Sequence, residues 1–165
     1  MNIQEAIKKG QIILKSKKIK TPELDSQILM SKTLNEDKKF VILNSQDKIS
    51  KKNLDYFNIL INQRAKGKPI AYLLKKKEFW KYEFFVNKNV LIPRPDTEIL
   101  IEQCLQITKN KNKLNILDIG VGSGCILLSI LKEKKNFYGS GVDISNKSLD
   151  ICKVNTHKLG LINRV

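Results

Sequence analysis

A glycine-rich turn that begins with an acidic residue is the segment of this sequence best suited to chemistry. It reads D-I-G-V-G-S-G from Asp118 to Gly124 and lies between a predicted strand and a predicted helix. Glycines at alternate positions permit a tight turn with positive φ, and they let a ligand lie against bare backbone at the positive end of the following helix. We therefore predict a nucleotide-type ligand at this turn.

Two ligand classes compete for the turn. A nicotinamide dinucleotide fingerprint, G-x-G-x-x-G/A, would need a third small residue at position 125, which is Cys125. The observed D-x-G-x-G-x-G pattern suits S-adenosyl-L-methionine, which presents an ammonium and a carboxylate instead of phosphates. Asp143 ends the next predicted strand and is placed to accept hydrogen bonds from two ribose hydroxyls. The predicted cofactor-binding residues are Asp118, Gly120, Val121, Gly122, Ser123, Gly124 and Asp143.

A second segment with functional potential reads I-P-R-P-D-T-E from Ile92 to Glu98. Its two prolines hold Arg94 in an extended conformation, and Asp96 and Glu98 place negative charge on the first turn of a predicted helix, which Asp96 would cap. Taken alone, the segment is better explained as a rigid linker followed by a helix cap.

Helical periodicity dominates the first seventy or so residues. Apolar residues recur at three- and four-residue spacing, and cap signals separate five short helices. Thr21 before Pro22 predicts the start of the second helix, Asn35 the cap of a third that reaches Leu43, and Ser50 the start of the fourth. A fifth runs from Pro69 to Leu74.

From Glu78 the apolar period changes to two, which predicts a β-hairpin with its turn at Asn87 to Asn89 and the return strand at Val90 to Ile92. Its aromatic face would either pack against a neighbouring domain or stack on bases. Helices and strands then alternate, which predicts a parallel sheet. The predicted elements are strands at 114–119 and 137–144, helices at 125–132 and 145–158, and a third strand beginning near Asn163.

These patterns predict an α/β protein in three parts. A small all-α helical bundle covers residues 1–76, a β-hairpin linker covers 77–93, and a Rossmann-like domain, incomplete at its C-terminus, covers 94–165. The first strand of that domain would expose an apolar edge and face. We therefore expect the 165 residues to be a fragment.

Composition restricts the remaining classes of function. The sequence contains no apolar run long enough to span a membrane, and its N-terminus is interrupted by charges, so a cytoplasmic protein is expected. Three unpaired cysteines and a single histidine, His157, argue against a disulfide framework or a metal site. Residues 1–95 hold 21 Lys and Arg against 9 Asp and Glu. This excess favours acidic partners such as nucleic acid or the ribosome, although a lysine-rich genome composition would produce the same count.

The motifs together resemble the HemK family of peptide-chain release-factor glutamine methyltransferases. The I-P-R-P-D-T-E string is the most selective of them, and the departures are Lys75, where relatives usually carry glycine, and Val121, where they carry threonine. The resemblance runs in order through Arg64, Gly67, Pro69–Tyr72, Glu78–Trp80, Leu91–Glu98, Asp118–Gly124 and Val142–Ser145.

This resemblance implies transfer of a methyl group from S-adenosyl-L-methionine to the glutamine side-chain amide of the Gly-Gly-Gln motif in release factors. It also implies that the helical N-terminal domain docks the release factor, and that Arg94 and Glu98 border the active-site cleft. Relatives orient the glutamine amide with an Asn-Pro-Pro-Tyr motif. All four prolines here lie upstream of position 96, so the 165 residues carry no such motif and we predict no catalytic residue in them.

Two other functions fit parts of the sequence. A DNA or RNA adenine methyltransferase would use the same type of cofactor turn, and the basic charge and aromatic hairpin suit it, although the string at Pro93 to Glu98 does not. A non-catalytic basic module that binds ribosome or RNA would show steeply salt-dependent RNA binding and no affinity for the cofactor.

Overall fold

The computed structural model describes all residues from Met1 to Val165, and the chain divides into two compact units, Met1–Leu74 and Lys75–Val165. The first unit is helical. The second begins with a β-hairpin and continues as alternating helices and parallel strands. None of the helices is both long and apolar enough to cross a membrane. The elements are α1 (Ile3–Ser16), α2 (Pro22–Leu34), α3 (Lys38–Leu43), α4 (Lys51–Ala65), α5 (Ile70–Leu74), β1 (Lys76–Phe79), β2 (Tyr82–Phe85), α6 (Glu98–Ile107), β3 (Asn115–Ile119), α7 (Cys125–Glu133), β4 (Tyr138–Val142) and α8 (Asn146–Lys158).

Local capping explains where the helices of the first unit begin. Asn2 and Glu5 form a reciprocal capping box at the start of α1, with backbone-to-side-chain distances of 2.8 and 3.0 Å. Ser50 caps α4 as predicted, through its hydroxyl and the N–H of Asn53. Thr21 precedes Pro22 as expected, but its hydroxyl donates to Asp25 instead of accepting from the backbone.

Asn35 does not cap the third helix, so that prediction is wrong. It ends α2 in the left-handed region with φ of 57°, a conformation that asparagine tolerates better than most residues. The cap of α3 is Asp37, whose carboxylate accepts from the N–H of Phe40 at 2.7 Å. Asn and Asp serve both ends of helices, and the sequence alone did not separate the two roles.

Close helix packing and one buried ion pair hold the first unit together. A Cβ built on Gly10 would lie 2.9 Å from Ile61 Cδ1 and 3.0 Å from Phe57 Cζ, so α1 approaches α4 as closely as glycine allows. Arg64 Nε donates to Asp25 Oδ2 at 2.7 Å and joins α4 to the first turn of α2. Asp25 is buried and is held in addition by Thr21. This pair places the C-terminal end of α4 beside the N-terminal end of α2.

The β-hairpin exists, but its strands and turn lie earlier than predicted. Strand β1 pairs antiparallel with β2, with Phe79 opposite Tyr82, so the turn is Trp80-Lys81 and not Asn87 to Asn89. Trp80 takes φ of 55°, and its N–H donates to Glu98 Oε1 at 2.8 Å, so a contact from a helix stabilises a turn without the usual turn residues. Lys75 also has positive φ, 58°, a region that favours glycine.

The aromatic face of the hairpin belongs to the core of the second unit. Phe79 and Phe84 are fully buried and pack edge to face with ring centroids 6.2 Å apart. These two rings are therefore not available to stack on bases. The hairpin lies within the second unit; the division at 76 and 93 that the sequence suggested stays a prediction.

A β-α-β unit follows the hairpin. Strand β3 pairs in parallel with β4, α7 connects them, and Ser145 caps α8 as predicted, through the N–H of Ser148. Two parallel strands with connecting helices establish an α/β arrangement; the Rossmann-like sheet order beyond them stays a prediction. Asp96 does not cap α6 as expected, because residues Pro95–Thr97 form a 3-10 turn and the helix begins at Glu98.

The predicted third strand near Asn163 is absent. Residues Ile162–Arg164 form a 3-10 turn, and the Arg164 guanidinium donates to the carbonyls of Leu131 and Lys135 at 2.8 and 2.9 Å beside the C-terminal end of α7. Strand β3 pairs with β4 and with no other strand, and Leu117 and Ile119 are 61% and 79% exposed. The expected apolar face is present, and the expectation that the chain is a fragment stays a prediction.

Two glycines in β4 set the distance between the sheet and the elements that pack on it. A Cβ on Gly139 would lie 2.5 Å from Leu127 Cδ1 in α7, and one on Gly141 would lie 2.7 Å from Val121 Cγ2 in the glycine turn. Neither position was singled out from the sequence, because an isolated glycine in a strand has many explanations. Here both allow close approach.

We expect Gly139→Ala to lower the free energy of unfolding by about 1–3 kcal/mol, because the new methyl group would overlap Leu127 and displace α7. Chemical denaturation followed by fluorescence measures the effect. Ser140→Ala, at the exposed neighbouring position, is the matched control and should change stability by less than about 0.5 kcal/mol. Equal stability of the two variants would contradict the packing argument.

Candidate functional site

The glycine turn is anchored to the end of β4 by its backbone. The N–H groups of Gly120 and Val121 both donate to the carbonyl of Val142, at 2.8 and 3.0 Å, and the N–H of Gly124 donates to Val121 O at 2.8 Å. Gly120, Gly122 and Gly124 all have positive φ, as the sequence pattern requires. The turn is thus a fixed loop between β3 and α7.

The residues of the turn face different surroundings. A Cβ on Gly120 would meet nothing within 4 Å, so the backbone there is open, and the nearest atom to a Cβ on Gly122 would be Gly120 O at 3.9 Å. Gly124 is different, because its Cβ would lie 2.8 Å from Cys152 Sγ. Val121 and Ser123 are buried. The open surface of the turn is therefore the main chain at Gly120 and Gly122.

Asp143 joins the end of β4 to the glycine turn. Its Oδ2 accepts from the N–H of Gly122 at 3.0 Å and its Oδ1 accepts from the N–H of Ser145 at 2.9 Å. These two bonds fix the carboxylate plane. Each oxygen of an ionised carboxylate has a further lone pair, so Asp143 can still accept hydrogen bonds from a ligand.

Asp118 carries an unsatisfied carboxylate oxygen at the end of β3. Its Oδ2 is buried and has no hydrogen-bond partner. Burial raises the pKa of this carboxyl above its ordinary value, the charge of Asp143 raises it further, and a backbone hydrogen bond from Leu127 opposes the rise. An unsatisfied acceptor with a nearby second carboxylate favours a cationic or hydrogen-bond-donating ligand.

The cysteines at the site are not activated nucleophiles. Burial raises the pKa of the Cys125 thiol, with a hydrogen bond from Ser123 acting in the opposite direction, and burial likewise raises the pKa of Cys152. A thiol held protonated at neutral pH is a weak nucleophile. Neither thiol is therefore a candidate nucleophile at this turn.

The two predicted cleft residues lie on the segment before α6. Arg94 is exposed, and its side chain forms no salt bridge. Glu98 accepts the N–H of Trp80 and thereby supports the hairpin turn. Neither side chain hydrogen-bonds the glycine turn. Their placement at a cleft border stays a prediction, whereas Asp118, Asp143 and the open glycines are together.

Asn155 on α8 was missed by the sequence interpretation. Its side chain is 0% exposed; Nδ2 donates to Ser123 O at 2.8 Å and to Phe85 O at 3.0 Å, and Oδ1 accepts from the N–H of Phe85 at 2.7 Å. One amide thus joins α8 to the hairpin and to the glycine turn. The signal for it was a polar residue at helical spacing with buried Ser148, Ile151 and Cys152.

Glu133 at the end of α7 was also missed. Its carboxylate accepts from Trp80 Nε1 at 2.9 Å, Lys81 Nζ at 3.0 Å and the Tyr82 hydroxyl at 3.1 Å. Burial alone would raise the pKa of Glu133, but these three hydrogen bonds lower it by more. Glu133 and Glu98 therefore hold the hairpin turn from two helices.

We expect Asp118→Asn to raise the melting temperature at neutral pH. The wild-type carboxyl has a folded-state pKa above its unfolded value of 3.8, so the folded state binds the proton more tightly and loses stability as the pH rises through the folded-state pKa. Asparagine removes that loss. Thermal unfolding measured across the acid range should show the gain shrinking as the pH falls and vanishing below 3.8. A gain independent of pH would contradict this explanation.

Asn155→Ala should lower the free energy of unfolding by about 2–4 kcal/mol, because one buried and two partly buried backbone groups lose their partner. It should also accelerate amide hydrogen exchange at Gly122 and Gly124. Ser148→Ala is the matched control, since the Ser148 hydroxyl on the same helix bonds Asn89 O and not the glycine turn. Unchanged exchange in the turn of the Asn155 variant would show that the amide does not hold it.

Comparison with known proteins identifies relatives along the whole chain. A family model described as the PrmC N-terminal domain matches residues 5–74. Over 163 residues the chain is 39% identical to a release factor glutamine methyltransferase of Buchnera aphidicola subsp. Acyrthosiphon pisum, with 99% of this chain and 58% of the relative covered. A protein of the same name from Clostridium acetobutylicum is 39% identical over 165 residues, covering 100% and 58%.

A bifunctional methyltransferase of Rickettsia bellii is 32% identical over 190 residues, covering 99% of this chain and 34% of the relative. The chain spans 58% of the length of the release factor glutamine methyltransferases described above. The resemblance predicted from the motifs is confirmed by these matches. Residues 5–74 match the model of the PrmC N-terminal domain, and the chain is similar to the N-terminal portion of the release factor glutamine methyltransferases.

Proposed function

We propose that the second unit binds S-adenosyl-L-methionine at the glycine turn, and that the protein to which these residues belong methylates the glutamine side-chain amide of the Gly-Gly-Gln motif in release factors. The observation that carries the proposal is the unsatisfied, buried Oδ2 of Asp118 next to the open backbone of Gly120 and Gly122. The names of the relatives support a release factor as substrate.

The residues present fit this cofactor by their chemistry. Bare backbone at Gly120 and Gly122 admits a ligand that has no phosphates to neutralise. The Asp118 carboxylate would accept hydrogen bonds from an ammonium group, which would satisfy its orphaned oxygen. Asp143, held by two backbone N–H groups, would accept from the two ribose hydroxyls. A nicotinamide dinucleotide fits less well, because its diphosphate would face two carboxylates.

When bound, the cofactor supplies an electrophilic methyl group. The glutamine amide that would accept it is a poor nucleophile, so the protein must orient its nitrogen and stabilise developing charge. The 165 residues supply the cofactor turn and lack the Asn-Pro-Pro-Tyr motif that orients the amide in relatives. We therefore expect them to bind the cofactor without catalysing transfer.

An adenine methyltransferase would use a similar cofactor turn. Phe79 and Phe84 are buried and cannot stack on a base, and the relatives' names point to a protein substrate. The release factor proposal therefore has the better support. The expected cytoplasmic location follows from the same proposal, because translation takes place there.

Isothermal titration of the full chain with S-adenosyl-L-methionine tests the proposal. Asp143→Ala should weaken binding by roughly 10- to 100-fold, the value of one or two hydrogen bonds to a charged group. Asp118→Asn should weaken it as well, because a neutral amide no longer attracts an ammonium group.

Asp150→Ala is the matched control, since Asp150 is an exposed acid on α8 outside the turn. It should bind the cofactor like the wild type. The proposal fails if the folded wild-type chain gives no binding heat, or if all three variants bind equally well.

A further inference from the structure

The charges of the first unit are distributed unevenly between its two ends. Helices α1 and α2 are joined by residues 17–21, and the Arg64–Asp25 pair brings the end of α4 to the start of α2. Six exposed lysines therefore meet at this end of the bundle, and we call them the lysine surface. They are Lys15, Lys17, Lys18, Lys20, Lys66 and Lys68.

The acidic residues of the first unit lie mostly at the other end. At the lysine surface there are two, and Asp25 is already paired with Arg64, which leaves Glu23 alone. The opposite end contains the first turns of α1 and α4, the last turn of α2, all of α3 and the connections on either side of α3. It also carries six lysines, Lys32, Lys38, Lys39, Lys48, Lys51 and Lys52, but four acids lie among them, Glu5, Glu36, Asp37 and Asp47.

This asymmetry is not what a lysine-rich composition alone produces. Compositional bias adds lysines to any exposed position, and the two ends do carry equal numbers of them. They differ in their acids, since one unpaired acid lies at the lysine surface and four acids lie at the opposite end. Charges of one sign within a Debye length of about 10 Å reinforce one another and create a field that attracts anions.

We propose that the lysine surface binds the phosphate backbone of RNA. Lysine is depleted from protein–protein interfaces but binds phosphates well as a point charge, so a surface made of lysines favours a polyphosphate over an acidic protein. The surface contains no exposed aromatic ring for base stacking, so binding should be independent of sequence. It lies in the first unit and does not rest on the cofactor proposed for the second.

Fluorescence anisotropy of the full chain with a labelled, mixed-sequence single-stranded RNA tests this inference. One variant replaces Lys15, Lys17, Lys18 and Lys20 with glutamine. The matched control replaces Lys38, Lys39, Lys51 and Lys52, which are equally exposed, so both variants have the same net charge. Circular dichroism and the binding heat of S-adenosyl-L-methionine report whether each variant remains folded and whether the second unit is unaffected.

At about 0.1 M salt the first variant should lose at least about tenfold in RNA affinity, and its slope of log affinity against log salt should fall by about 3, the value for four phosphate contacts. The control variant should lose less than about threefold. Equal losses in the two variants, or no RNA binding by the wild type, would overturn the proposal. Labelled polyglutamate bound as tightly as RNA, with the same loss in the first variant, would overturn it in favour of an acidic protein.

Discussion

The side-chain amide of Asn155 hydrogen-bonds the backbone of Phe85 and Ser123, and so connects α8 with the hairpin and the glycine turn. The bond to Ser123 is buried and the two to Phe85 are partly buried, which makes them costly to lose. The turn also depends on Asp143, which receives the N–H of Gly122, and on Val142, whose carbonyl receives two N–H groups. The open backbone of the turn is therefore held by two elements, by α8 through Asn155 and by the end of β4 through Val142 and Asp143.

The first and last glycines of the turn are glycine for different physical reasons. Gly120 leaves free space, whereas Gly124 leaves no space at all, because Cys152 and Leu128 occupy the volume that a side chain would need. The pattern of alternating glycines thus combines open backbone at one position with close packing at another. Close packing also requires the two glycines of β4, because they let Leu127 and Val121 approach the sheet.

The sequence predicted those parts of the structure that depend on local signals. The helices capped by Ser50 and Ser145, and the strand-turn-helix order around Asp118, follow from periodicity and capping within a few residues. The hairpin turn could not be predicted, because Trp80 and Lys81 are poor turn residues that Glu98, 18 residues away, makes acceptable. The prediction that Asn35 caps the third helix was wrong for a different reason, since its side chain suits either end of a helix.

In the candidate site, too, residues that follow a local sequence pattern were predicted and residues that depend on distant contacts were not. The acids and glycines carried a pattern, so their positions could be predicted, whereas Asn155 and Glu133 act through partners 32 to 70 residues away in the chain. Such contacts leave only a faint sequence signal, a polar residue on a face that is otherwise apolar. The orphaned oxygen of Asp118 has none, because burial depends on the complete packing of the second unit.

Trp80 is the only tryptophan in the chain, and its indole N–H is bonded to Glu133. Its emission spectrum therefore reports on the hairpin and α7, within the second unit, and contains no direct contribution from the helical unit. Far-ultraviolet ellipticity, in contrast, is dominated by helices and draws on both units. Melting curves recorded with the two signals would separate the units without labels, since curves that coincide indicate joint unfolding and curves that diverge indicate independent unfolding.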